Sequence, residues 1–461
     1  MAEPAAILRP AAGVPTAGGA AATAPLVGRP RNAVIFRRGG EAVTVGRFLA
    51  DVAALAARLP ARGHVLNLCG DRYLALLGFA AALSRGQVTL LSSDGSARRQ
   101  AEIAARFPDS YALVDGEDAG VLPVVRVAAD GPGEDAPNPE IPLAAVAAIG
   151  FTSGSTGEPA AHGKPWGALV AGARAAAERF GLDRADTATV VATVPPQHMY
   201  GFETTILLPL HGNGAAHAGP HFFPVEVAEA LRAAPGRRVL VTTPLQLRAV
   251  LGSGEALPPL DAVISATAPL SPELAAAAER AWNTRVLEIY GATEVGSVAS
   301  RRTVEGEGWT PYRGTVLHRQ GEDGALVSVP GLPAPVPLAD AVAIDAAGRF
   351  RLLGRRTDVV KLGGKRASLA GLNRLLAEIE GVQDGVFVAP DNLDRDPSAR
   401  LAAYVVAPGR TPRDILAALR PRLEPVFLPR PVVMLPALPR DAAGKLTRRA
   451  LAELRRTEVT P

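Results

Sequence analysis

Short apolar runs alternate with helical patterns along most of the chain. Runs rich in Val, Ile and Leu, such as HVLNLCG (64–70) and QVTLLSS (87–93), precede stretches with helically spaced apolar positions, such as DRYLALLGFAAAL (71–83). Strands of this composition, separated by helices of about 10–15 residues, are typical of βαβ units, whose parallel strands are buried on both faces. The pattern therefore predicts an α/β fold with parallel sheets.

The same alternation continues with further strand-like runs, namely TATVVATVP (187–195), RVLVTTP (238–244), LDAVISAT (260–267) and TRVLEIYG (284–291). From about residue 308 to 353 short strand-like pieces with Gly and Pro replace it, and a compact unit with strand and helix patterns follows. We therefore predict a domain boundary near Gly354, between a core over 26–353 and a C-terminal domain over 354–461. Residues 1–25, rich in Ala, Pro and Gly, are predicted to form a disordered tail.

Composition limits the class of protein. The 461 residues are 48% hydrophobic and 20% charged, as in an ordinary globular protein with a sizeable core. A single cysteine, Cys69, excludes an internal disulfide and a zinc site built from paired cysteines, and it suits a reducing cytosol. Because no apolar run has the length of a signal-peptide core or a transmembrane helix, we expect a cytoplasmic protein with no membrane span.

The charge is distributed unevenly. The net charge is +4, but the stretch from Gly354 to the end contains 19 Lys and Arg against 12 Asp and Glu, whereas the rest contains 30 against 33. A basic segment can attract a nucleotide, a nucleic acid or an acidic protein, or it can be a solvated face. No basic stripe interspersed with aromatic residues accompanies this charge, so we do not expect nucleic-acid binding.

The segment TSGSTG (Thr152–Gly157) is the clearest candidate for chemistry. It follows the apolar run AAVAAIGF and precedes the predicted helix WGALVAGARAAAERF (166–180). Glycines let successive N–H groups point inward, and the hydroxyl groups add donors, so the segment could bind oxyanions; a solvated loop is the alternative. A P-loop is excluded, because Lys164 is followed by Pro165 where that motif requires Ser or Thr.

Three further motifs follow TSGSTG in order: YGATE (290–294), the segment 338–366, and LPRDAAGK (438–445). Together, over about residues 33–456, the four motifs resemble those of the adenylate-forming ligases, which include acyl-CoA synthetases, adenylation domains of peptide synthetases and luciferases. The resemblance implies an α/β fold with a large N-terminal domain of αβ layers plus a distorted β-barrel. It also implies a small mobile α+β C-terminal lid domain.

The resemblance implies a role for each residue of the first two motifs. Tyr290 and Gly291 would contact the adenine, Thr293 would bond the α-phosphate, and Glu294 would hold Mg²⁺. For Tyr290, packing in the core is the alternative. The β- and γ-phosphates of ATP would be bound by Thr152, Ser153, Gly154, Ser155, Thr156 and Gly157.

The later motifs supply further residues. By the same resemblance, Asp340 would bind the ribose hydroxyls and Arg355 would contact the nucleotide at the domain junction. Lys445 would reach in from the lid, and His198, in PPQHMYGFE, would lie between acyl pocket and nucleotide. The alternatives are a turn aspartate for Asp340, a surface lysine for Lys445 and packing of the pocket wall for His198.

The sequence departs from the family pattern in three places. Ala160 stands where the family has a lysine after the phosphate loop, and Lys164 is the candidate replacement, with ordinary surface charge as the alternative. The adenine-pocket turn begins at Ser265 and lacks glycine. At the hinge, Thr357 stands where the family has an acidic residue, and Asp358 follows.

These expectations combine into a function. The chain would be an ATP-dependent carboxylic acid ligase that forms an acyl- or aryl-adenylate and transfers it to a thiol. The thiol would belong to coenzyme A or to the phosphopantetheine of an acyl carrier protein, which could bind the basic C-terminal domain. The alternatives are a non-catalytic nucleotide-binding relative and transfer to an acceptor other than a thiol.

Overall fold

The computed structural model describes residues 22–38, 40–92, 94–116, 120–152, 160–219, 221–321, 324–355, 359–362, 365–390 and 399–439. These residues form two compact units. The first takes its residues from 1–317, 327–336 and 347–349, and the second from 318–326, 337–346 and 350–461.

The helices alternate with strands, as the apolar pattern predicts. They are α1 (Val45–Arg58), α2 (Arg72–Ser84), α3 (Ala97–Arg106), α4 (Trp166–Phe180), α5 (Met199–Phe202), α6 (Leu208–His211), α7 (Pro224–Ala233), α8 (Pro244–Gly252), α9 (Pro272–Trp282), α10 (Leu369–Ala377) and α11 (Pro412–Leu419). A π-helical turn, Glu203–Leu207, joins α5 to α6.

The strands of the first part of the chain are β1 (Thr23–Pro25), β2 (Val34–Arg38), β3 (Glu41–Thr44), β4 (His64–Asn67), β5 (Val88–Leu91), β6 (Ser110–Val114), β7 (Val124–Arg126), β8 (Glu140–Pro142), β9 (Val146–Thr152), β10 (Ala160–Pro165), β11 (Ala188–Ala192), β12 (Gly214–His217), β13 (Arg237–Thr242), β14 (Ala262–Ser265), β15 (Val286–Ala292), β16 (Gly296–Arg302) and β17 (Thr310–Pro311). Those of the later part are β18 (Val316–Gln320), β19 (Gly324–Ser328), β20 (Val336–Pro337), β21 (Asp340–Ile344), β22 (Phe350–Arg355), β23 (Val359–Leu362), β24 (Lys365–Ser368), β25 (Asp384–Val388), β26 (Ala402–Val406) and β27 (Val432–Met434).

Two large sheets build the first unit. One has the strand order β10–β9–β5–β4–β6–β7, and the other has the order β17–β16–β15–β14–β13–β11–β12–β2–β3. The inner strands of both sheets pair in parallel, whereas β10 and the edge strands β16, β17 and β3 pair antiparallel. The parallel sheets predicted from the apolar runs are confirmed.

The predicted helices are also confirmed. Helix α4 covers the run WGALVAGARAAAERF and ends at Gly181, whose left-handed φ of 67° terminates the helix. Helix α2 begins after Asp71, whose side chain accepts a hydrogen bond from the N–H of Leu74 (3.0 Å). Helix α2 is apolar on nearly every face, as is typical of a helix that is buried almost all round.

The start of the described chain differs from the predicted tail over 1–25. Thr23–Pro25 form β1, which pairs antiparallel with β8. Ala24 is 8% exposed and Leu26 is fully buried. Burial of these apolar side chains and backbone pairing offset the entropy of ordering this segment, which its composition does not reveal. Residues 1–21 lie outside the described residues.

The second unit combines helices with small sheets. Strands β25 and β26 pair antiparallel, and β26 and β27 pair in parallel. Its apolar core includes Leu376 of α10, Phe387 and Ile415 of α11. Strands β21 and β22 form a hairpin, so 337–346 belong with this unit, whereas the sequence places the boundary near Gly354. The exact domain division, the distorted barrel and the mobility of the lid stay predictions.

A buried carboxylate fixes the strand pair that carries YGATE. Glu288 in β15 is 4% exposed and accepts hydrogen bonds from the N–H of Leu270 (3.0 Å), from Arg301 Nε (2.8 Å) and from Thr303 Oγ1 (3.1 Å). The group therefore ties the loop after β14 to the strand β16. Such a network is stabilising only while every buried member keeps its partner.

We expect Glu288→Ala to lower the free energy of unfolding by about 3–5 kcal/mol, because it leaves Arg301 and the Leu270 N–H without their acceptor. The measurement is urea unfolding followed by circular dichroism. Glu305→Ala is the matched control, since Glu305 is 67% exposed in its ion pair with Arg302 and should contribute less than about 1 kcal/mol. Equal losses in the two variants would contradict the assignment.

Candidate active site

The predicted phosphate loop connects two antiparallel strands. Strand β9 ends at Thr152 and β10 begins at Ala160, and these two residues are paired. The loop between them contains Ser153, Gly154, Ser155, Thr156 and Gly157, which lie outside the described residues. A P-loop leads directly from a strand into a helix. Here α4 begins only after β10, so the strand arrangement agrees with the exclusion made from the sequence.

The YGATE motif forms the end of strand β15 and the turn that follows. Thr293 and Glu294 lie in this turn between β15 and β16, which is closed by a hydrogen bond from the N–H of Val295 to the carbonyl of Ala292 (3.1 Å). Both residues are half-buried. The hairpin thus presents a hydroxyl and a carboxylate side by side at the end of a sheet.

A close contact joins this turn to the strand that leads into the phosphate loop. A Cβ atom at Gly150 in β9 would lie only 2.7 Å from Cγ2 of Thr293. A side chain at position 150 would therefore displace the side chain of Thr293, and glycine permits the approach. The strand that leads into the first motif and the turn of the second, which are far apart in sequence and belong to different sheets, approach each other here.

Tyr290 and Gly291 lie just before the turn. Tyr290 is 8% exposed, and its ring packs against Trp309 with centroids 5.6 Å apart. Gly291 is exposed, and a Cβ there would lie 2.6 Å from the carbonyl oxygen of Gly296 on the paired strand. The structure thus shows a packing contact for Tyr290, and the adenine contacts of Tyr290 and Gly291 stay predictions.

The loop after β14 begins at Ser265, which is fully buried and whose Oγ has no hydrogen-bond partner among the described residues. Thr267 has a φ of 79°, in the left-handed region that favours glycine. The turn thus reaches a glycine-like conformation without glycine. Its far end is held by the hydrogen bond from Leu270 to Glu288.

His162 and Lys164 lie on one face of β10, because side chains alternate along a strand. Burial lowers the pKa of His162, and the nearby charge of Glu294 opposes this shift. Lys164 is 2% exposed, and burial lowers its pKa to about 8 against the opposing charges of Glu203 and Glu294. Glu294 is therefore within electrostatic reach of both. The motifs assign no role to His162. Its spacing of two residues from Lys164 on a strand indicates that both side chains lie on the same face.

An apolar pocket lies between α4, the π-helical turn and β16, and we name it the α4 pocket. Its empty volume is about 580 Å³, open solvent included. Most of its wall is apolar, and its polar side chains include those of Lys164, Glu203 and Ser297. Gly296 and Ser297, at the start of β16, contribute to its wall.

Glu203 supplies the acidic group of the α4 pocket. Its carboxylate accepts hydrogen bonds from the N–H (2.9 Å) and the hydroxyl of Ser297. Burial raises the pKa of Glu203, while the hydrogen bonds from Ser297 and the charge of Lys164 oppose the shift. Glu203 belongs to the segment PPQHMYGFE, but its role could not be predicted from the sequence, because its burial depends on how the π-helical turn packs.

The other residues of PPQHMYGFE have different surroundings. His198 is exposed and caps α5, its Nδ1 accepting a hydrogen bond from the N–H of Tyr200 (3.2 Å). Partial burial of the imidazole lowers the pKa of His198, although the residue reaches solvent. Phe202 is buried and packs edge-on against Phe79, with centroids 4.9 Å apart. Met199 lines the α4 pocket.

In the second unit, Asp340 begins β21 and pairs with Arg355 at the end of β22. The two residues predicted to bind the ribose and the nucleotide therefore occupy facing positions of one hairpin. Asp340 is half-buried. The predicted lid lysine, Lys445, and the hinge candidates Thr357 and Asp358 lie outside the described residues.

Comparison with known proteins identifies the family. The model of the AMP-binding enzyme family matches residues 26–321, which is more than half of the chain. The chain is 32% identical over 282 residues to a 4-coumarate–CoA ligase of Rhodobacter capsulatus, covering 60% of this chain and 67% of the relative. It is also 39% identical over 115 residues to the isonitrile lipopeptide synthase of Mycobacterium tuberculosis, covering 24% of this chain and 4% of that protein. The chain belongs to the AMP-binding enzyme family.

Solved structures show the same fold. ATP-bound MatB from Rhodopseudomonas palustris has a TM-score of 0.74 at 18% identity, covering 93% of this chain and 97% of the other. The o-succinylbenzoate coenzyme A synthetase MenE of Bacillus subtilis, in complex with AMP, has a TM-score of 0.72 at 17% identity, covering 91% and 95%. The α/β fold implied by the four motifs, and the resemblance to adenylate-forming ligases, are confirmed.

The described residues contain neither a membrane-spanning helix nor a dedicated metal cluster. No helix in the part of the chain that the structure describes has the length and apolarity needed to cross a membrane. In the same part, no three or more His, Cys, Asp or Glu side chains form a group that could hold a metal ion.

We expect Gly150→Ala to lower kcat/KM for adenylate formation by about 10–10²-fold, because the added methyl group displaces Thr293. Pyrophosphate release measures the effect. The matched control is Gly163→Ala on β10, whose Cβ would meet Val146 at an ordinary 3.5 Å. Adding Thr293→Ser to Gly150→Ala removes the clashing Cγ2 and should restore part of the lost activity. Full activity of a folded Gly150→Ala variant would show that this contact does not position the turn.

Proposed function

We propose that the chain is an ATP-dependent ligase that activates a carboxylic acid as its adenylate and transfers the acyl group to a thiol. The observation that carries this proposal is the contact between Gly150 and Thr293. It brings the strand leading to the phosphate loop against the turn with Thr293 and Glu294. Membership of the AMP-binding enzyme family and the names of the relatives support the same reaction.

In the first step, an oxygen of the substrate carboxylate attacks the α-phosphorus of ATP, a P–O bond to the acyl oxygen forms, and pyrophosphate leaves. Negative charge crowds at the α-phosphate, so catalysis consists of positioning and electrostatic stabilisation. The hydroxyl of Thr293 is the donor for the α-phosphate. The loop between Thr152 and Ala160 would hold the phosphates that leave.

Glu294 fits the role of a Mg²⁺ ligand. It is half-buried on a hairpin turn, beside the hydroxyl of Thr293. The described residues contain no dedicated metal cluster, and Mg²⁺ at nucleotide sites is typically held by one or two carboxylates plus substrate phosphates. When bound, the ion would neutralise charge on the phosphate oxygens. Glu294 itself would anchor the ion on the side of the turn that faces Lys164 and His162.

The α4 pocket is the proposed site of the acid. Its apolar wall suits the body of an aryl or acyl acid, and its polar residues are few, as in most small-molecule sites. Gly296 and Ser297 of its wall directly follow the turn of Thr293 and Glu294 in sequence. An acid in this pocket would lie beside the residues that act on the nucleotide. Relatives named 4-coumarate–CoA ligase favour an aromatic acid.

In the second step, a thiol attacks the carbonyl carbon of the adenylate, an acyl–sulfur bond forms, and AMP leaves. The names of the 4-coumarate–CoA ligases favour coenzyme A as the acceptor. The similarity to the isonitrile lipopeptide synthase and the excess of 19 basic over 12 acidic residues from Gly354 onward suit a carrier protein as the alternative. We also propose roles for three residues of the C-terminal part: Asp340 would bind the ribose hydroxyls, Arg355 would contact the nucleotide, and Lys445 would act in the first step.

We expect Glu294→Gln to lower adenylate formation and to raise the Mg²⁺ concentration needed for half-maximal pyrophosphate release by at least about 10–100-fold. The carboxamide loses the charge that holds a hard cation. Glu273→Gln, a change of an exposed carboxylate on α9, is the control and should leave both quantities unchanged. An unaltered Mg²⁺ dependence in soluble Glu294→Gln would exclude Glu294 as a metal ligand.

The proposed role of Lys445 can be tested by measuring the two half-reactions separately. The resemblance assigns its ammonium group to the first step alone, so Lys445→Ala should slow adenylate formation by about 10²–10³-fold and convert supplied acyl-adenylate to thioester at a near-normal rate. The measurement compares pyrophosphate release with thioester formation from synthetic adenylate. Arg413→Ala, a change of an exposed basic residue on α11, is the control. Equal losses in both steps would contradict the lid role.

A further inference from the structure

Lys164 is a buried cation without a visible acceptor. The residue is 2% exposed, and its Nζ has no hydrogen-bond partner among the described residues. An ammonium group removed from water is costly unless oxygen or nitrogen atoms replace its hydration. Because Lys164 lines the α4 pocket, the missing acceptor can be supplied from within the pocket.

Glu203 stands in the same wall and has bonding capacity left. Its two oxygens accept one hydrogen bond each from Ser297, whereas a carboxylate offers about four lone-pair positions. The charges of Glu203 and Lys164 influence each other, but the two groups form no ion pair within the 4.0 Å limit in the described structure. A polar atom between them could therefore bond to both.

The rest of the α4 pocket is shaped for a flat apolar body. Ala168, Gly172 and Ala176 recur every four residues on α4, so they lie on one face of the helix. Because their side chains are small, this face leaves room in the pocket. Leu207 and Tyr312 face the same space. Lys164 and Glu203 thus bring two opposite charges into a pocket whose wall is mostly apolar.

We propose that Lys164 and Glu203 bind a hydroxyl group of the substrate, so that the α4 pocket selects a hydroxylated aromatic acid. The hydroxyl oxygen accepts from Lys164 Nζ, and the hydroxyl hydrogen is donated to a free lone pair of Glu203. This inference rests on the proposed ligase function and adds the substrate class and the two residues that recognise it.

Charge balance favours a hydroxyl group over a charged substituent on the substrate. A second carboxylate would meet Lys164 but would also face the carboxylate of Glu203, and an ammonium group would meet Glu203 but face Lys164. A hydroxyl group both donates and accepts, so it satisfies the two residues together without adding charge. Burial lowers the pKa of Lys164 only to about 8, so the side chain remains a donor at neutral pH.

The test measures kcat/KM for pyrophosphate release, at saturating ATP, with matched acids. The pairs are 4-hydroxycinnamate with cinnamate, and 3- and 4-hydroxybenzoate with benzoate, and 4-carboxybenzoate serves as the dianionic probe. We expect at least one hydroxylated acid to exceed its unsubstituted partner by about 10²-fold or more, because a buried donor and acceptor stay unpaired without the hydroxyl.

Variants assign this preference to the two residues. Lys164→Met keeps the length of the side chain without its charge and should bring the hydroxyl preference close to one, as should Glu203→Gln in part. Using a ratio of two acids at saturating ATP cancels any effect of Lys164 on ATP binding. Arg98→Met, a change of an exposed basic residue on α3, is the surface control and should keep the full preference. Ser297→Ala, which removes one hydrogen bond to Glu203, gives a milder variant should the others fail to fold.

The outcomes separate the two proposals. Equal rates with hydroxylated and unsubstituted acids, or an unchanged preference in folded Lys164→Met, would overturn this inference and leave the ligase function standing. Preference for 4-carboxybenzoate would also overturn it, assigning Lys164 to an anion. Absence of pyrophosphate release with every acid would count against the ligase function and this inference together.

Discussion

The close approach of Gly150 to Thr293 is the constraint on which the proposed site depends. The phosphate loop is carried by one sheet and the YGATE turn by the other, and a Cβ at Gly150 would lie 2.7 Å from Thr293. Side chains between the two sheets would hold them apart, as in ordinary sheet packing at about 10 Å. A glycine at this point lets the strand that leads to the predicted phosphate loop approach the turn of Thr293, which lies far away in sequence.

Buried charged groups around the site show two different uses of a carboxylate. Glu288 is saturated by Leu270, Arg301 and Thr303, and it fixes the loop and strands behind the site. Among the residues that the structure describes, Glu203 accepts from Ser297 alone, and it faces a pocket that also contains the ammonium group of Lys164, which has no partner there. A saturated network supports structure, whereas one with spare capacity beside a cavity suits recognition of a ligand.

The electrostatic surroundings of Glu294 extend the site beyond the family motifs. His162 and Lys164 both respond to its charge, and both lie on the strand that follows the phosphate loop. The charge of Glu203 also acts on Lys164, so one lysine couples the charges of Glu294 on the turn and of Glu203 in the α4 pocket. Such coupling in a low-dielectric region is stronger than between exposed groups.

The parallel strands, the helices α2 and α4, the exclusion of a P-loop and the four ordered motifs could be predicted from the amino-acid pattern alone, because apolar periodicity and motif order are local properties of the chain. Other features became evident from the fold: Thr23–Pro25 pair with β8, Gly150 approaches Thr293, and Lys164 and Glu203 line one pocket. These facts depend on which surfaces meet across sheets and helices, and burial of a charged side chain is set by packing partners that lie far away in sequence.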